Sequence, residues 1–196
     1  MHPQVAQLYP RYLFNLHCMM RAAVPLMEAA IKSAQDLHAT DPVATQMIPY
    51  LQKHIPEETH SHWPLEDLEA LGFDSEELLK RTPAPAVAAL VGAQYYWIFH
   101  YHPIALLGYL EFAEGYPPDP DQVEALMRRT GYPREAFRNL RRHARLDLKH
   151  REELHELLDS LPLTPQHAKI ISLSALESAR LSILALEEII EQYEGD

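Results

Sequence analysis

The sequence has little cysteine, little glycine and no long apolar run. Its one cysteine, Cys18, among 196 residues excludes an internal disulfide framework and a cysteine-rich zinc site. Only six glycines occur, and no segment alternates apolar and polar residues as a strand would. No apolar run is long enough to span a bilayer, and the N-terminal MHPQVAQLYPRY lacks the pattern of a secretory signal. These absences predict a helical, cytoplasmic protein of one domain, residues 1–196.

Basic residues are also scarce relative to acidic ones: 17 lysines and arginines stand against 28 aspartates and glutamates, which gives a formal net charge of −11. The only basic cluster, residues 138–151, is interleaved with acids and is typical of a solvated helix face. Binding to nucleic acid through phosphates needs a basic surface, so we expect neither a nucleic-acid nor a membrane partner. Histidine, by contrast, is abundant. Twelve histidines prompt a search for a metal site, although His2, His17, His38 and His167 are interpreted as surface residues.

Prolines, glycines and capping residues divide the chain into the helices of a single all-α bundle. Kinks are expected at Pro25 and Pro103, and Pro56 should interrupt a helix. His100 and His102 either line a pocket or simply precede the kink at Pro103. The predicted helices cover about residues 12–37, 47–62, 65–71, a segment after Asp74, 87–114, 121–129, 134–161 and 165–192.

The helix predicted over residues 134–161 carries His143, Asp147 and His150 on its apolar side. At about 100° per residue, these three side chains share a stripe roughly 60° wide. The same side contains Leu140, Leu146, Leu154, Leu157, Leu158 and Leu161. Burying two imidazoles and a carboxylate is costly unless a partner compensates them. Because neutral histidine and ionised aspartate are good ligands, the stripe predicts a metal site.

Other helices must supply the remaining ligands of such a site. The segment HIPEETHSHW offers Glu57 and His60, which are three residues apart and project in similar directions. His54, Glu58 and His62 lie nearby and could replace either residue as a ligand. The segment could equally be an exposed polar helix end that binds no metal.

The predicted helix over residues 87–114 is apolar almost all round, which indicates burial, and its aromatic residues Tyr95, Tyr96, Trp97 and Tyr101 are expected to pack in the core. Its only acids are Glu111 and Glu114. We prefer Glu114 as a ligand, partly from the resemblance described below, and Glu111 stays open.

Three histidines and three carboxylates suit iron or manganese at a two-metal site, whereas zinc takes fewer ligands. A second Glu-x-x-His motif, Glu152 and His155, would complete a ferritin-like pattern. Both of its residues fall away from the apolar stripe, however, so we expect this motif to face solvent.

The chain resembles the heme-oxygenase-like di-iron oxidase and oxygenase superfamily, often described as iron-containing redox enzymes. The resemblance rests on HIPEETHSHWPLEDLEALG, then AQYYWIFHYHPIALLGYLEFAEG, then His143-x3-Asp147-x2-His150, and it covers about residues 10–190. It implies an all-α bundle in which Glu57, His60, Glu114, His143, Asp147 and His150 hold two irons per chain. The chain departs from the usual pattern at Pro56 and Pro64, which leaves Glu57 or Glu58 open as the ligand.

The leading hypothesis is therefore a non-heme di-iron enzyme that uses dioxygen to oxidise a small organic substrate. TenA-type thiaminases share the fold, and a hydrolase of that kind would need Cys18 as its nucleophile; we interpret Cys18 as a core thiol. A heme-degrading protein would need His17 as proximal ligand. A metal-storing, metal-sensing or interaction protein is the non-enzymatic alternative. The last helix could serve a homodimer, but its stripe of Ile170, Leu173, Leu176, Leu181, Leu184 and Ile189 is interpreted as core.

Overall fold

A computed structural model describes residues 3–37 and 39–194, and within this part of the chain every regular element is a helix. The all-α prediction is therefore confirmed. Two of the elements are short 3₁₀ helices, Ile55–Glu58 and Arg134–Phe137. The α-helices are α1 (Val5–Met20), α2 (Ala23–Leu37), α3 (Pro42–His54), α4 (Trp63–Glu69), α5 (Ser75–Leu79), α6 (Pro85–His100), α7 (Ala105–Glu114), α8 (Pro120–Thr130), α9 (Arg138–Ser160) and α10 (Pro165–Glu194).

Two predicted helices are each broken into two, and proline is the cause in both. The chain leaves helical structure after Met20 and resumes it at Ala23, because Pro25 has no N–H to donate to the carbonyl of Arg21. The predicted helix over residues 87–114 divides into α6 and α7 around Pro103. The sequence indicated kinks at these positions, and the structure has full breaks.

Caps set the ends of several helices. The side chain of Asp41 accepts hydrogen bonds from the N–H groups of Val43 and Ala44, so α3 begins at Pro42, five residues before its predicted start. Asp74 caps α5 through Glu76, as predicted. Gly131 ends α8 with φ of 70°, a left-handed conformation that favours glycine.

The α9 helix packs against α4 and α7, and α7 packs in turn against α10. One buried apolar cluster joins α2, α3, α6, α7, α9 and α10, and a second joins α1, α4, α5, α8 and α9. Because α9 contributes to both clusters, its polar buried side chains lie inside the bundle. None of the helices described is long and apolar enough to cross a membrane.

Two predictions of burial were partly wrong. On α6, Tyr96 is 51% exposed and Phe99 is 57% exposed, and Tyr101 just beyond the helix is 54% exposed. On α10, Ile170, Leu181 and Ile189 are buried, but Leu173, Leu176 and Leu184 are exposed. The all-round apolar character of residues 87–114 and the apolar stripe of the last helix indicated burial, whereas each helix buries only the side that packs on its neighbour. Gln94 shows which side this is, because it hydrogen-bonds to Ser174 and Ser178 of α10.

Candidate metal centre

The α9 helix presents its predicted polar stripe to the interior. Asp147 and His150 are 2% and 1% exposed, and Leu154 on the same side is fully buried. His143, one turn earlier, is partly buried. The Nδ1–H of His143 donates to the carbonyl of Asn139 at 2.9 Å. This bond fixes the tautomer, so Nε2 carries the lone pair that a metal would need.

Asp67 of α4 holds the N-terminus of α9 in place. Its two carboxylate oxygens accept hydrogen bonds from the N–H groups of Arg138 and Asn139, at 3.1 and 3.0 Å. The residue before α9, Phe137, provides no side-chain cap of its own. Burial raises the pKa of Asp67 to about 6, although the hydrogen bonds from Asn139 and Arg138 oppose that shift. The cap therefore comes from another helix, and it orients the helix that carries three predicted ligands.

We expect Asp67→Asn to destabilise the protein by about 1–3 kcal/mol, because an amide NH₂ would then face a buried backbone N–H that needs an acceptor. Urea unfolding followed by circular dichroism measures the change. Asp74→Asn is the matched control, since Asp74 caps the short, exposed α5 and asparagine caps a helix about as well as aspartate. Equal losses in the two variants would contradict a special role for Asp67.

Pro56 determines which glutamate after α3 turns inward. It has no N–H to continue the α-helix, and the chain tightens into a 3₁₀ helix after His54. Glu58 then lies beside the buried His54, with 3.8 Å between Glu58 Oε1 and His54 Nε2. Glu57 lies at the edge, where Lys149 Nζ donates to its carboxylate at 2.7 Å. Glu57 Oε2 also accepts from His150 Nε2 at 3.1 Å.

The α7 helix brings Glu114 into the same place. Glu114 is 6% exposed, and its Oε1 lies 3.2 Å from His54 Nε2. Glu111 instead pairs with the half-exposed His155 at 2.9 Å, outside the cluster. Of the two acids left open, Glu114 is therefore the one that lies in the cluster, and its role as a ligand stays a prediction. The second Glu-x-x-His motif faces solvent, as predicted.

The inward side chains form a first group around Glu58 and Glu114. One ligand atom from each of His54, Glu58, Glu114 and His150 can be chosen so that all four lie within 4.8 Å of one another. His150 Nδ1 lies 3.7 Å from Glu58 Oε1 and 3.5 Å from Glu114 Oε2. Two imidazoles and two carboxylates thus converge on one point.

A second group, His60 and His143, adjoins the first, and the buried Asp147 lies close enough to Glu114 and Glu58 for their charges to raise its pKa. The rings of His60 and His143 have centroids 5.0 Å apart. Glu58 links the two groups, because its Oε1 is 3.5 Å from His60 Nε2. Trp63 stacks on His60 with 4.1 Å between ring centroids, and Arg142 covers the Trp63 ring in turn. The indole therefore holds the His60 imidazole against the cluster.

Six buried atoms of this cluster have no hydrogen-bond partner among the described residues. They are Nδ1 of His54, both ring nitrogens of His60, Oε2 of Glu114, Oδ1 of Asp147 and Nδ1 of His150. Leaving one buried polar group unsatisfied costs about 1–3 kcal/mol. His54 faces Glu58 and Glu114 through Nε2, and an imidazole offers one nitrogen to an ion, so a cation here would satisfy atoms of His60, Glu114, Asp147 and His150. A metal ion satisfies imidazole nitrogens and carboxylate oxygens together, and this mixed donor set suits iron or manganese. The residues present therefore fit such ions.

The charges of the cluster also call for a cation. Burial, together with the nearby charges of Glu114 and Glu58, raises the pKa of Asp147 to about 8. Burial lowers the pKa of His54, but Glu114 and Glu58 outweigh it, and the pKa is raised overall. The printed ion pairs of Glu58 and Glu114 are with histidines, and Lys149 pairs with Glu57 at the outer edge. Bound divalent ions would instead lower the pKa of Asp147 and of His54, because a nearby cation favours the deprotonated form of each group.

The structure also corrects the interpretation of several other residues. His54 was only a substitute in the sequence prediction, yet it is central to the first group; its spacing of four from Glu58 was the available signal. His62 is 59% exposed in its side chain and pairs with Glu66, outside the cluster. His17 was interpreted as a surface residue but is 5% exposed, and His167 is half-buried. His2 and His38 lie outside the described residues.

A separate cluster of Asp41, His102 and His167 has metal-like composition but a different role. Ile104 N–H donates to His102 Nδ1, and His102 Nε2–H donates to Asp41. Because both nitrogens of His102 are engaged, the ring braces the Asp41 cap of α3 instead of offering a lone pair. Cys18 is likewise no reactive group, since it is 4% exposed and burial raises the pKa of its thiol.

An apolar cavity of about 300 Å³ opens beside the cluster. Glu58, Glu114, His143 and Asp147 contribute to its wall, and most of the rest comes from α1, α6, α7 and α10, with further residues of α2, α9 and the turn after α7. A largely apolar cavity with a few polar groups is the usual form of a small-molecule site.

The fold and this site define a helical protein with a buried cluster of histidines and carboxylates that could hold a metal ion. The model of the iron-containing redox enzyme family matches residues 20–182, and the chain belongs to that family. A crystal structure of a domain of unknown function with a heme oxygenase-like fold, from Shewanella denitrificans OS217, superposes with a TM-score of 0.83. The two are 20% identical, over 96% of this chain and 80% of that one, which shows the shared fold. A search of curated proteins found no significant match.

Proposed function

We propose that the protein is a non-heme di-iron oxidase or oxygenase that uses dioxygen to oxidise a small organic molecule. The observation that carries the proposal is the convergence of ligand atoms from His54, Glu58, Glu114 and His150, with unpartnered buried atoms on His60, Glu114, Asp147 and His150. Membership of an iron-containing redox family supports iron as the metal, and manganese suits the same ligands.

Each iron would have its own histidines. His54 and His150 would hold one ion with Glu58 and Glu114, and His60, His143 and Asp147 would hold the other, with Glu58 between the two. Ferrous iron at such a centre supplies the electrons that reduce dioxygen. Of the two glutamates left open by the sequence, Glu58 would be the ligand instead of Glu57, which the resemblance implied. Glu57 would be an outer residue that orients His150 through Nε2.

The protein's own groups would control access and orientation. Burial of the centre beneath Trp63 and the apolar wall of the cavity keeps water away from the reacting atoms. The hydrogen bond from His143 to the Asn139 carbonyl keeps Nε2 directed at the metal. The substrate would enter through the cavity and meet the centre where Glu58, Glu114 and Asp147 contribute to its wall.

Oxygen uptake tests this function. Ferrous-loaded wild-type protein, mixed with dioxygen at an oxygen electrode, is expected to consume oxygen in proportion to its bound iron. The double variant His143→Ala/His150→Ala should consume no more than free ferrous iron does. The control is His62→Ala/His155→Ala, which removes two exposed imidazoles and should behave as wild type.

Wild-type oxygen uptake by the His143→Ala/His150→Ala variant would overturn the proposal. Uptake of many irons per chain with mineral formation would favour iron storage on the same fold instead.

A further inference from the structure

Most of the large apolar side chains that are exposed in the described part of the chain are concentrated on two neighbouring helices. Six of them form what we call the α6–α10 face: Tyr96, Tyr101, Leu173, Leu176, Ile183 and Leu184. Each is between 37% and 69% exposed. Exposed apolar residues that are scattered singly need no explanation, but a contiguous patch indicates a binding surface.

Contacts between α6 and α10 show that the two parts of this face adjoin. The indole N–H of Trp97 donates to Glu177 Oε2 at 2.9 Å, which places α6 beside this turn of α10. The centroid of the Trp97 ring lies 5.8 and 5.0 Å from those of the two tyrosines of the face. Leu173 and Leu184 are four residues before and seven after Glu177, so all three share one side of α10. The tyrosines and leucines therefore flank a single seam.

The face carries no net charge in a strongly acidic chain. The α6 helix contains no acidic residue, lysine or arginine, and residues 170–186 of α10 contain only Glu177 and Arg180. These two residues pair with each other at 3.9 Å, whereas the chain as a whole has a formal net charge of −11. Two copies of the chain repel each other over most of their surface, and this repulsion is weakest where the two neutral faces meet.

The charge pattern favours a second copy of the chain as the partner. A membrane with anionic lipids binds basic surfaces, and this face has no excess of basic residues. In a dimer with a two-fold axis, the same patch of both copies meets. Glu177 and Arg180 of one copy can then lie opposite Arg180 and Glu177 of the other, so the face is complementary to itself in charge as well as in hydrophobicity.

The area of the face also suits a dimer. A half-exposed tyrosine or leucine offers on the order of 100 Å², so the six side chains present about 600 Å² of apolar surface. This is the upper end of the range, about 300–600 Å², for the largest apolar patch of a monomer. With a polar rim it approaches the area of about 800 Å² that each partner buries in an interface of standard size.

The cavity beside the metal centre stays open in such a dimer. The part of its wall that α10 provides consists of Ser182, Ala185, Leu186 and Ile189. At about 100° per residue, these four lie on average about 160° around α10 from the leucine and isoleucine side chains of the face. The two surfaces are therefore on opposite sides of the helix.

We propose that the α6–α10 face binds a second copy of the chain and forms a homodimer with a two-fold axis. Burial on the partner accounts for the aromatic and leucine side chains that packing within one chain leaves exposed. The inference goes beyond the proposed function and is independent of it, because the face contains none of the predicted metal ligands.

Sedimentation velocity of the full chain, at concentrations from about 1 to 100 µM, tests the proposal. At the upper end of this range we expect the wild type to sediment at twice the chain mass of 22.5 kDa. Leu176→Glu and Tyr96→Glu each place a carboxylate from both copies in the interface. The dissociation constant should therefore rise by at least about 100-fold in each variant.

Leu148→Glu is the matched control, because Leu148 is also exposed but lies on α9, outside the face. This variant should dimerise as the wild type does. Circular dichroism checks that all three variants are folded, as we expect when an exposed side chain is replaced. A wild type that is monomeric at about 100 µM, a Leu176→Glu or Tyr96→Glu protein that dimerises like the wild type, or a Leu148→Glu protein that is monomeric would each overturn the inference.

Discussion

Replacing Glu58 with glutamine is expected to weaken ferrous iron binding by more than about 100-fold, whereas the same change at Glu57 should weaken it by less than about tenfold. Glu58 Oε1 lies within 3.8 Å of His54, His60 and His150, so its charge serves both groups of ligands. Glu57 reaches the cluster only through the Nε2 of His150, and a glutamine oxygen can still accept that hydrogen bond.

The two substitutions form a matched pair, because they change neighbouring residues by the same chemical step. Anaerobic titration with ferrous iron, with competition by a chelator of known affinity, gives the dissociation constants. Stronger loss in Glu57→Gln than in Glu58→Gln would show that the 3₁₀ turn after His54 presents the other glutamate, and it would contradict the assignment of Glu58.

Gly108→Ala is expected to destabilise the protein by about 3 kcal/mol, the upper end of the usual range for overpacking. A Cβ at Gly108 would lie 2.1 Å from the carbonyl oxygen of Ile171 and 3.0 Å from the nitrogen of Ala175. Both are backbone atoms of α10 that cannot rotate away. The α7 helix would have to move, and it carries Glu114 into the metal centre, so iron affinity should fall as well.

Gly92→Ala is the control for this prediction. Gly92 lies within α6, and a Cβ there would meet no described atom within 4 Å. Alanine favours helix, so this variant should be more stable by about 0.5–1 kcal/mol. Chemical unfolding of both variants measures the difference, and a Gly108→Ala protein as stable as wild type would contradict the close approach of α7 and α10.

The polar stripe of α9 could be predicted from the sequence, because helical periodicity fixes which side chains share a face. His143, Asp147 and His150 therefore lie where the pattern placed them. For the segment after α3, the sequence predicted that one glutamate would be a ligand, but it left open whether this is Glu57 or Glu58. Pro56 changes the helix from 3.6 to three residues per turn, and this small rotation turns Glu58 inward and Glu57 outward.

The role of Asp67 was beyond the reach of the sequence for a different reason. It depends on the packing of α4 against the N-terminus of α9, and helix crossing angles are not encoded in local periodicity. The exposed aromatic residues of α6 have the same cause, since the sequence does not reveal which side of a uniformly apolar helix lacks a neighbour. Breaks at Pro25 and Pro103 were indicated, but their extent depends on how the flanking helices pack.

Counting bound iron tests the central claim most directly. Metal-free protein is titrated with ferrous iron under argon, freed of unbound metal, and its iron content per chain is determined for the wild type, His150→Ala and the exposed-site control His155→Ala. The account predicts two irons per chain in the wild type and in His155→Ala, and fewer in His150→Ala. Wild-type protein that retains no iron, or His150→Ala that retains two, would contradict it.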